Sequence, residues 1–282
     1  MIKKESKIQY SYLTVKMTKS RIDKGLLAFP RAMVDWFPKQ KGFVKLFLDN
    51  SKVPQLKTYT PYTSSTRECR IGGLSYWFKK NHIKDGDEIV IQIIDRENYI
   101  FRLIYENNFV IRTRQLQEQF DNSPNEEKAF KNLLDIAEWT RVDKEIVILN
   151  EFNRLIQIPI EDRRTKEKHH LKFKEITPPS LKTLLGEIYK GHCQVCDFWF
   201  LKKDGTPYYE IHHIDNLLGA HPKNLLLVCG NCHNQFTYAQ VRYNFRDGWL
   251  SKVYFNEREF RIEQLVFNTK FPVHYKNVYL LE

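Results

Sequence analysis

The sequence has no long apolar run. Its longest aliphatic stretch is of the size of "NLLLVC", far short of the ~20 residues that a membrane helix needs. The start, "MIKKESKIQYSYLTVKM", is basic and lacks the apolar core of a secretory signal. These absences give a cytoplasmic location as the expectation. Internal repeats and low-complexity tracts are missing too. Cysteine is sparse, five in 282 residues. Four of the five form two Cys-x-x-Cys pairs, Cys193/Cys196 and Cys229/Cys232. In a cytosolic chain such pairs read as zinc ligands rather than disulfides. Cys69 stands alone and is expected to be a small buried hydrophobe.

Acidic residues are scarce in one region. Residues 1–104 hold 20 Lys and Arg against 10 Asp and Glu, and the remainder holds 25 against 24. Nearly all of the net charge of +11 therefore sits in the first third. A polyanion, most simply nucleic acid, is the natural partner of such a segment. A solvated basic surface that keeps the protein soluble is the plainer alternative. Apolar residues make up 42% and aromatics 14%, ample for burial. The length suits two or three modules.

Up to about residue 104, "YLTVKM", "FVKLFLD", "RIGGL" and "DEIVIQII" read as strands. "PRAMVDWF" and "GLSYWFKKN" read as short helices, the first with proline in its first turn. Strands with short helices between them predict a small closed β module. "QLQEQFDNSPN" (115–125) is polar and reads as a linker. "NEEKAFKNLLDIAEWT" has apolar residues at helical spacing behind Asn125, a candidate cap. "DKEIVILNEFNRLI" reads as a further helix, with its β-branched run leaving that open. "EDRRTKEKHHLKFKE" is a charged linker, and its pair His169–His170 reads as solvated surface. "PPSLKTLLGEIYKGHC" predicts an amphipathic helix leading into the first cysteine pair. Beyond Arg242 an aromatic-rich tail adds strands or a helix. The class is α+β.

Thirty-two residues separate Cys196 from Cys229. Four thiolates complete a tetrahedral zinc site, which leaves no open position and is structural. The histidines are then free for other work. "YEIHHID" reads as a strand, so His212 and His213 point to opposite faces. One can hold a metal while the other faces a substrate. "NLLLVCGNCHNQF" reads as a loop, a turn at Gly230 and a helix with His233 in its first turn. Such a unit brings His212 and His233 together. Phosphodiester hydrolysis fits this set: a neutral imidazole serves as base near cellular pH, and a cation offsets charge on the phosphate. Asn224 can hold the histidine-bearing loop without competing for protons. A zinc ribbon that only binds, with histidines placed by chance, is the alternative.

The order Cys-x-x-Cys, His-His, Asn, Cys-x-x-Cys-His, carried by "HCQVC", "YEIHHI" and "NLLLVCGNCH", resembles the HNH nucleases of the ββα-metal fold, in the branch with a four-cysteine zinc site. The resemblance covers roughly residues 180–240. It implies that His213 is the general base and that Asn224 braces its loop. His212 and His233 would hold one catalytic divalent ion, Mg²⁺ or another. Cys193, Cys196, Cys229 and Cys232 would hold structural zinc. Glu210 and Asp215 receive no direct role.

Residues 10–95, through "TKSRIDKGLLAFP", "RIGGLSYWFKKNHIKDGDEIVI" and the Trp-Phe that closes each short helix, are similar to the DNA-binding pseudobarrel of plant B-three transcription factors and some restriction enzymes. That likeness implies two arms in the major groove. The first would be Lys19, Ser20, Arg21 and Lys24. The second would draw on Tyr62, Ser64, Ser65, Arg67 and Arg70. Arginine suits bidentate contacts to guanine, and Ser, Thr and Lys suit phosphates. Some other small barrel with ordinary polar loops is the plainer reading.

Together the resemblances imply a pseudobarrel over 1–110, a helical spacer and charged linker over 111–178, and an HNH module over 179–282. The expected activity is restriction-type cleavage of double-stranded DNA leaving a 5′-phosphate, by a dimer or by two sequential nicks. Two rivals stand beside it. One is a modification-dependent nuclease that reads a methylated or hydroxymethylated base, with Trp77, Tyr62 or Trp36 stacking on it. The other is a non-catalytic, zinc-stabilised DNA-binding regulator.

Overall fold

The computed structural model describes residues 6–29, 31–63, 68–160 and 177–264. The chain falls into two compact units, with the division between Arg114 and Gln115. Among the described residues no helix is long and apolar enough to cross a membrane.

The first unit is one seven-stranded sheet. Its strands are β1 (Leu13–Lys16), β2 (Leu27–Phe29), β3 (Gly42–Leu48), β4 (Gln55–Thr60), β5 (Cys69–Ile71), β6 (Glu88–Asp95) and β7 (Ile100–Tyr105). They run in the order β1-β6-β7-β3-β4-β5-β2. Neighbours are antiparallel except β3 with β7. The edge strands β1 and β2 touch, so the sheet nearly closes into a barrel. Period two drives this inward curl. In β3, Val44, Leu46 and Leu48 are buried while Phe43 and Lys45 face out.

The barrel is filled by aromatic rings. Phe37 lies 4.6 Å from Phe29, 4.8 Å from Phe101 and 5.5 Å from Tyr59. Both Trp-Phe pairs, Trp36-Phe37 and Trp77-Phe78, are buried. The Trp77 indole N–H donates to Asp49 at 2.7 Å, since a buried indole needs a partner. Two short helices, α1 (Lys19–Asp23) and α2 (Ser75–Lys80), touch each other, and a 3-10 turn covers Arg31–Trp36. Gly25 lets α1 and α2 meet: its φ is +61° and a Cβ there would fall 2.1 Å from Ser75 Oγ. Cys69 is fully buried in the barrel core.

The polar stretch read as a linker is helical instead. Helix α3 (Glu106–Asp121) runs through it, because Leu116, Gln117 and Phe120 recur on one buried face. Next come α4 (Glu126–Thr140), α5 (Lys144–Ile156) and α6 (Pro179–Tyr189). Asn125 caps α4, its Oδ1 accepting from the Lys128 N–H at 2.8 Å. Leu133 and Ile136 of α4, Val147 and Phe152 of α5 and Leu181 and Leu184 of α6 are buried where these helices pack together. The helical segment expected between modules thus belongs to the second compact unit. The charged stretch with His169–His170 lies outside the described residues.

The rest of the second unit holds the histidines. β8 (Glu210–His213) pairs antiparallel with β9 (Leu225–Val228) and is followed by α7 (Gly230–Tyr238). The "LLLV" read as loop is β9; all four residues are buried, so no alternation marks it. The aromatic tail forms a meander of β10 (Val241–Arg246), β11 (Trp249–Phe255) and β12 (Arg258–Arg261). Leu226, Val228, Phe236, Leu250, Val253, Cys193, Cys229 and Cys232 share one small core.

Candidate metal centre and histidine cluster

The four cysteines converge. Their sulfurs all lie within 4.8 Å of one another. Cys196 Sγ is 3.7 Å from Cys229 Sγ and 3.5 Å from Cys232 Sγ. A tetrahedron with zinc–sulfur bonds of about 2.3 Å has edges of about 3.8 Å, so the quartet fits that ion. Burial and proton sharing split the thiols. A hydrogen bond from Cys232 pulls Cys193 down to about 5, burial lifts Cys196 to about 11, and the bond to Cys193 pushes Cys232 up. Among the described residues this is the one cluster of three or more metal-ligating side chains.

Cys229 also caps α7, its sulfur accepting from the Cys232 N–H at 3.5 Å. Its carbonyl accepts from the His233 N–H at 2.9 Å. The quartet therefore fixes the turn from which His233 projects. On β8, residues two apart share a face. Glu210 and His212 both reach toward α7. The Glu210 carboxylate is bonded to His233 Nδ1 and accepts from the Tyr208 hydroxyl. The two contacts hold its pKa below the usual carboxylate value, Tyr208 contributing first. His212 stacks on Phe236 at 3.9 Å and lies edge-on to His233 at 5.5 Å. Burial, then the charges of His233 and His213, push His212 down to about 3. Its Nε2 is buried with no hydrogen-bond partner. His233 spends Nδ1 on Glu210, which leaves Nε2 for a ligand role. Both nitrogens suit a cation.

His213 occupies the other face of β8 and is also shifted down by burial and by His233. Asn224 is buried in the 3-10 turn Pro222–Asn224. Its Nδ2 donates to the carbonyls of Asp215 and Gly219, each at 2.8 Å, and its Oδ1 accepts from the Asp215 N–H at 2.9 Å. It thus clamps the chain that follows the histidine pair. Glu210 is the partner that sequence reasoning left without a role. Its place two residues before His212 was the available signal.

In the first unit, Lys19, Ser20 and Lys24 are exposed on and beside α1. Arg21 is half-buried; its Nη2 meets Glu68 at 3.1 Å and its Nη1 meets the Lys16 carbonyl at 3.1 Å. Arg70 Nε meets the other oxygen of Glu68 at 2.9 Å. Tyr62 packs against the barrel core. Ser64, Ser65 and Arg67 lie outside the described residues. Trp36 and Trp77 are buried in the barrel, which removes both as surface platforms for a flipped base.

No family model matches the sequence. Over 87 residues the chain is 31% identical to the type IV methyl-directed restriction enzyme EcoKMcrA of Escherichia coli K12. That match spans 29% of this chain and 31% of the enzyme's length. Among solved structures, the Arabidopsis FUS3–DNA complex aligns with a TM-score of 0.27 at 11% identity, over 33% of this chain and 94% of that one.

Proposed function

We propose that this protein is a DNA endonuclease of the restriction type, cutting with an HNH site in its second unit and binding duplex DNA with the barrel of its first. The observation that carries the reading is His212 and His233 facing each other across β8 and α7, backed by the cysteine quartet. A structural zinc on the quartet would hold the α7 turn. A divalent ion on His212 and His233, Mg²⁺ or another, would offset charge on the phosphate and on the departing 3′-oxygen.

The chain's own residues do the rest. His213, kept neutral by burial, accepts a proton from the attacking water. Glu210 fixes the tautomer and orientation of His233. Asn224 holds the segment after His213 in register, because a slack base loses much of its rate advantage. In-line attack then leaves a 5′-phosphate. The excess positive charge of residues 1–104 supports duplex DNA as the partner, with one site per chain calling for a dimer or two nicks. The match to a methyl-directed enzyme favours a second reading within this class, cleavage that depends on a modified base.

The test is a plasmid grown in methylating and non-methylating hosts, incubated with Mg²⁺ or with EDTA. Discrete fragments with Mg²⁺ are expected, and the host that yields them tells plain from modified sites. His213→Ala should slow cutting by about 10²–10⁴-fold and still bind duplex. An intact plasmid in every lane, with DNA still shifted on a gel, would make the protein a zinc-stabilised regulator.

A further inference from the structure

Glu68 joins the two stretches that the proposed DNA interface would use. One carboxylate takes Arg21 from α1 on one oxygen, at 3.1 Å, and Arg70 from β5 on the other, at 2.9 Å. The backbone adds a second anchor for Arg21 at the Lys16 carbonyl. All three side chains remain partly open to solvent, at 30%, 25% and 37% for Arg21, Glu68 and Arg70.

Ion pairs this exposed add little to folding. A carboxylate in a basic patch also works against general affinity for phosphates. Its remaining effect is geometric. Guanidinium forks carry information only when they are held in one direction. Glu68 occupies Nε of Arg70 and leaves both of its Nη groups, the pair that reads a purine edge bidentately. Arg21 is pinned through both Nη groups, with N–H bonds left on each.

We propose that Glu68 is a positioning residue that sets base specificity, presenting Arg21 and Arg70 as one fixed pair to base edges while the exposed Lys19 and Lys24 meet phosphates. This rests on the DNA-binding reading above.

The experiment selects bound sequences from a duplex library with a randomised core, methylated and unmethylated, using the full chain. Wild type, Glu68→Gln and the double variant Arg21→Lys/Arg70→Lys are compared, with affinity for a fixed random duplex and melting temperature alongside. Wild type should enrich a consensus. Glu68→Gln should lose preference at one or two of its base pairs, by about ten-fold each, while its affinity for the random duplex holds or rises. Arg21→Lys/Arg70→Lys keeps the charge and should blur the same base pairs, which decides the matter if Glu68→Gln does not fold. An unchanged consensus in both variants overturns the proposal. So does a parallel loss of all binding together with melting temperature, the mark of a scaffold residue. If wild type binds no duplex at all, the DNA-binding reading itself fails, and this one with it.

Discussion

Asn224 holds both backbone polar groups of Asp215: it accepts from the Asp215 N–H at 2.9 Å and donates to the Asp215 carbonyl at 2.8 Å. A third bond reaches the Gly219 carbonyl at 2.8 Å. One side chain thus takes over where backbone pairing ends, one residue after His213, at the Ile214 N–H that donates to the Asn224 carbonyl at 2.9 Å.

Removing that clamp should loosen the loop more than the fold. Asn224→Ala strands one donor and two acceptors, and about 2–3 kcal/mol of stability should go with them. Asn224→Asp keeps the acceptor and turns both donations into repulsions, so it should be no milder. Thermal melts and plasmid nicking rates check this. A variant that melts as wild type and nicks as wild type would remove the clamp from the account.

The cysteine quartet predicts one tightly held zinc per chain by metal analysis. Cys232→Ser, or a strong chelator, should release it and open residues 193–236 to limited proteolysis. Structural zinc contributes about 10–16 kcal/mol to small modules, so the effect should be large. A chelated protein with an unchanged cleavage pattern would speak against a zinc clip.

Acid should destabilise the histidine cluster. Burial, with the charges of His233 and His213, moves His212 from 6.5 to about 3, and His213 shifts the same way. Unfolded, both take up a proton near 6.5. Below that pH the unfolded chain binds more protons than the folded one, so stability falls as pH drops toward 3 and is flat above 6.5 on their account. Melting temperatures without added divalent ions, from about pH 7.5 to about pH 4, should show this. His212→Gln should flatten the slope. An unchanged slope would put the acid sensitivity in other groups.

The helices of the second unit carry a buried ionic knot. Glu151 is fully buried, accepting from Gln117 at 2.7 Å and from Arg154 at 2.7 Å. Arg154 also forks onto Asp121 at 2.7 and 2.9 Å. Arg154→Ala takes the guanidinium away from the buried Glu151 carboxylate and should cost about 3–5 kcal/mol. That corresponds to a drop on the order of 10 °C in melting temperature. The double variant Arg154→Met/Glu151→Met should recover much of it. If Arg154→Ala melts within a degree or two of wild type, the knot is solvated in practice.

Local patterns made much of this readable. Alternation in "FVKLFLD" and "YEIHHID" marked β3 and β8, and Asn125 marked the start of α4. The spacing of the cysteines foretold their convergence. What escaped was set by tertiary burial. β9 is buried on both faces, and α3 hides only a few side chains in a polar run, so neither showed its period. The Glu68 and Glu210 contacts escaped for another reason. Arg21 lies 47 residues from Glu68, and His233 lies 23 from Glu210, so their partners come from separate elements.

Those separations also set the order of assembly. Asn224 is nine residues from Asp215, and His233 is 23 from Glu210. Closing loops of that size is fast and costs little entropy. The barrel is otherwise: β1 must find β6 across most of its unit before the sheet can curl shut. On dilution from denaturant the histidine hairpin and its helix should therefore close well before the barrel does. A segment that assembles from its own short sequence is also one that can be moved whole onto another scaffold.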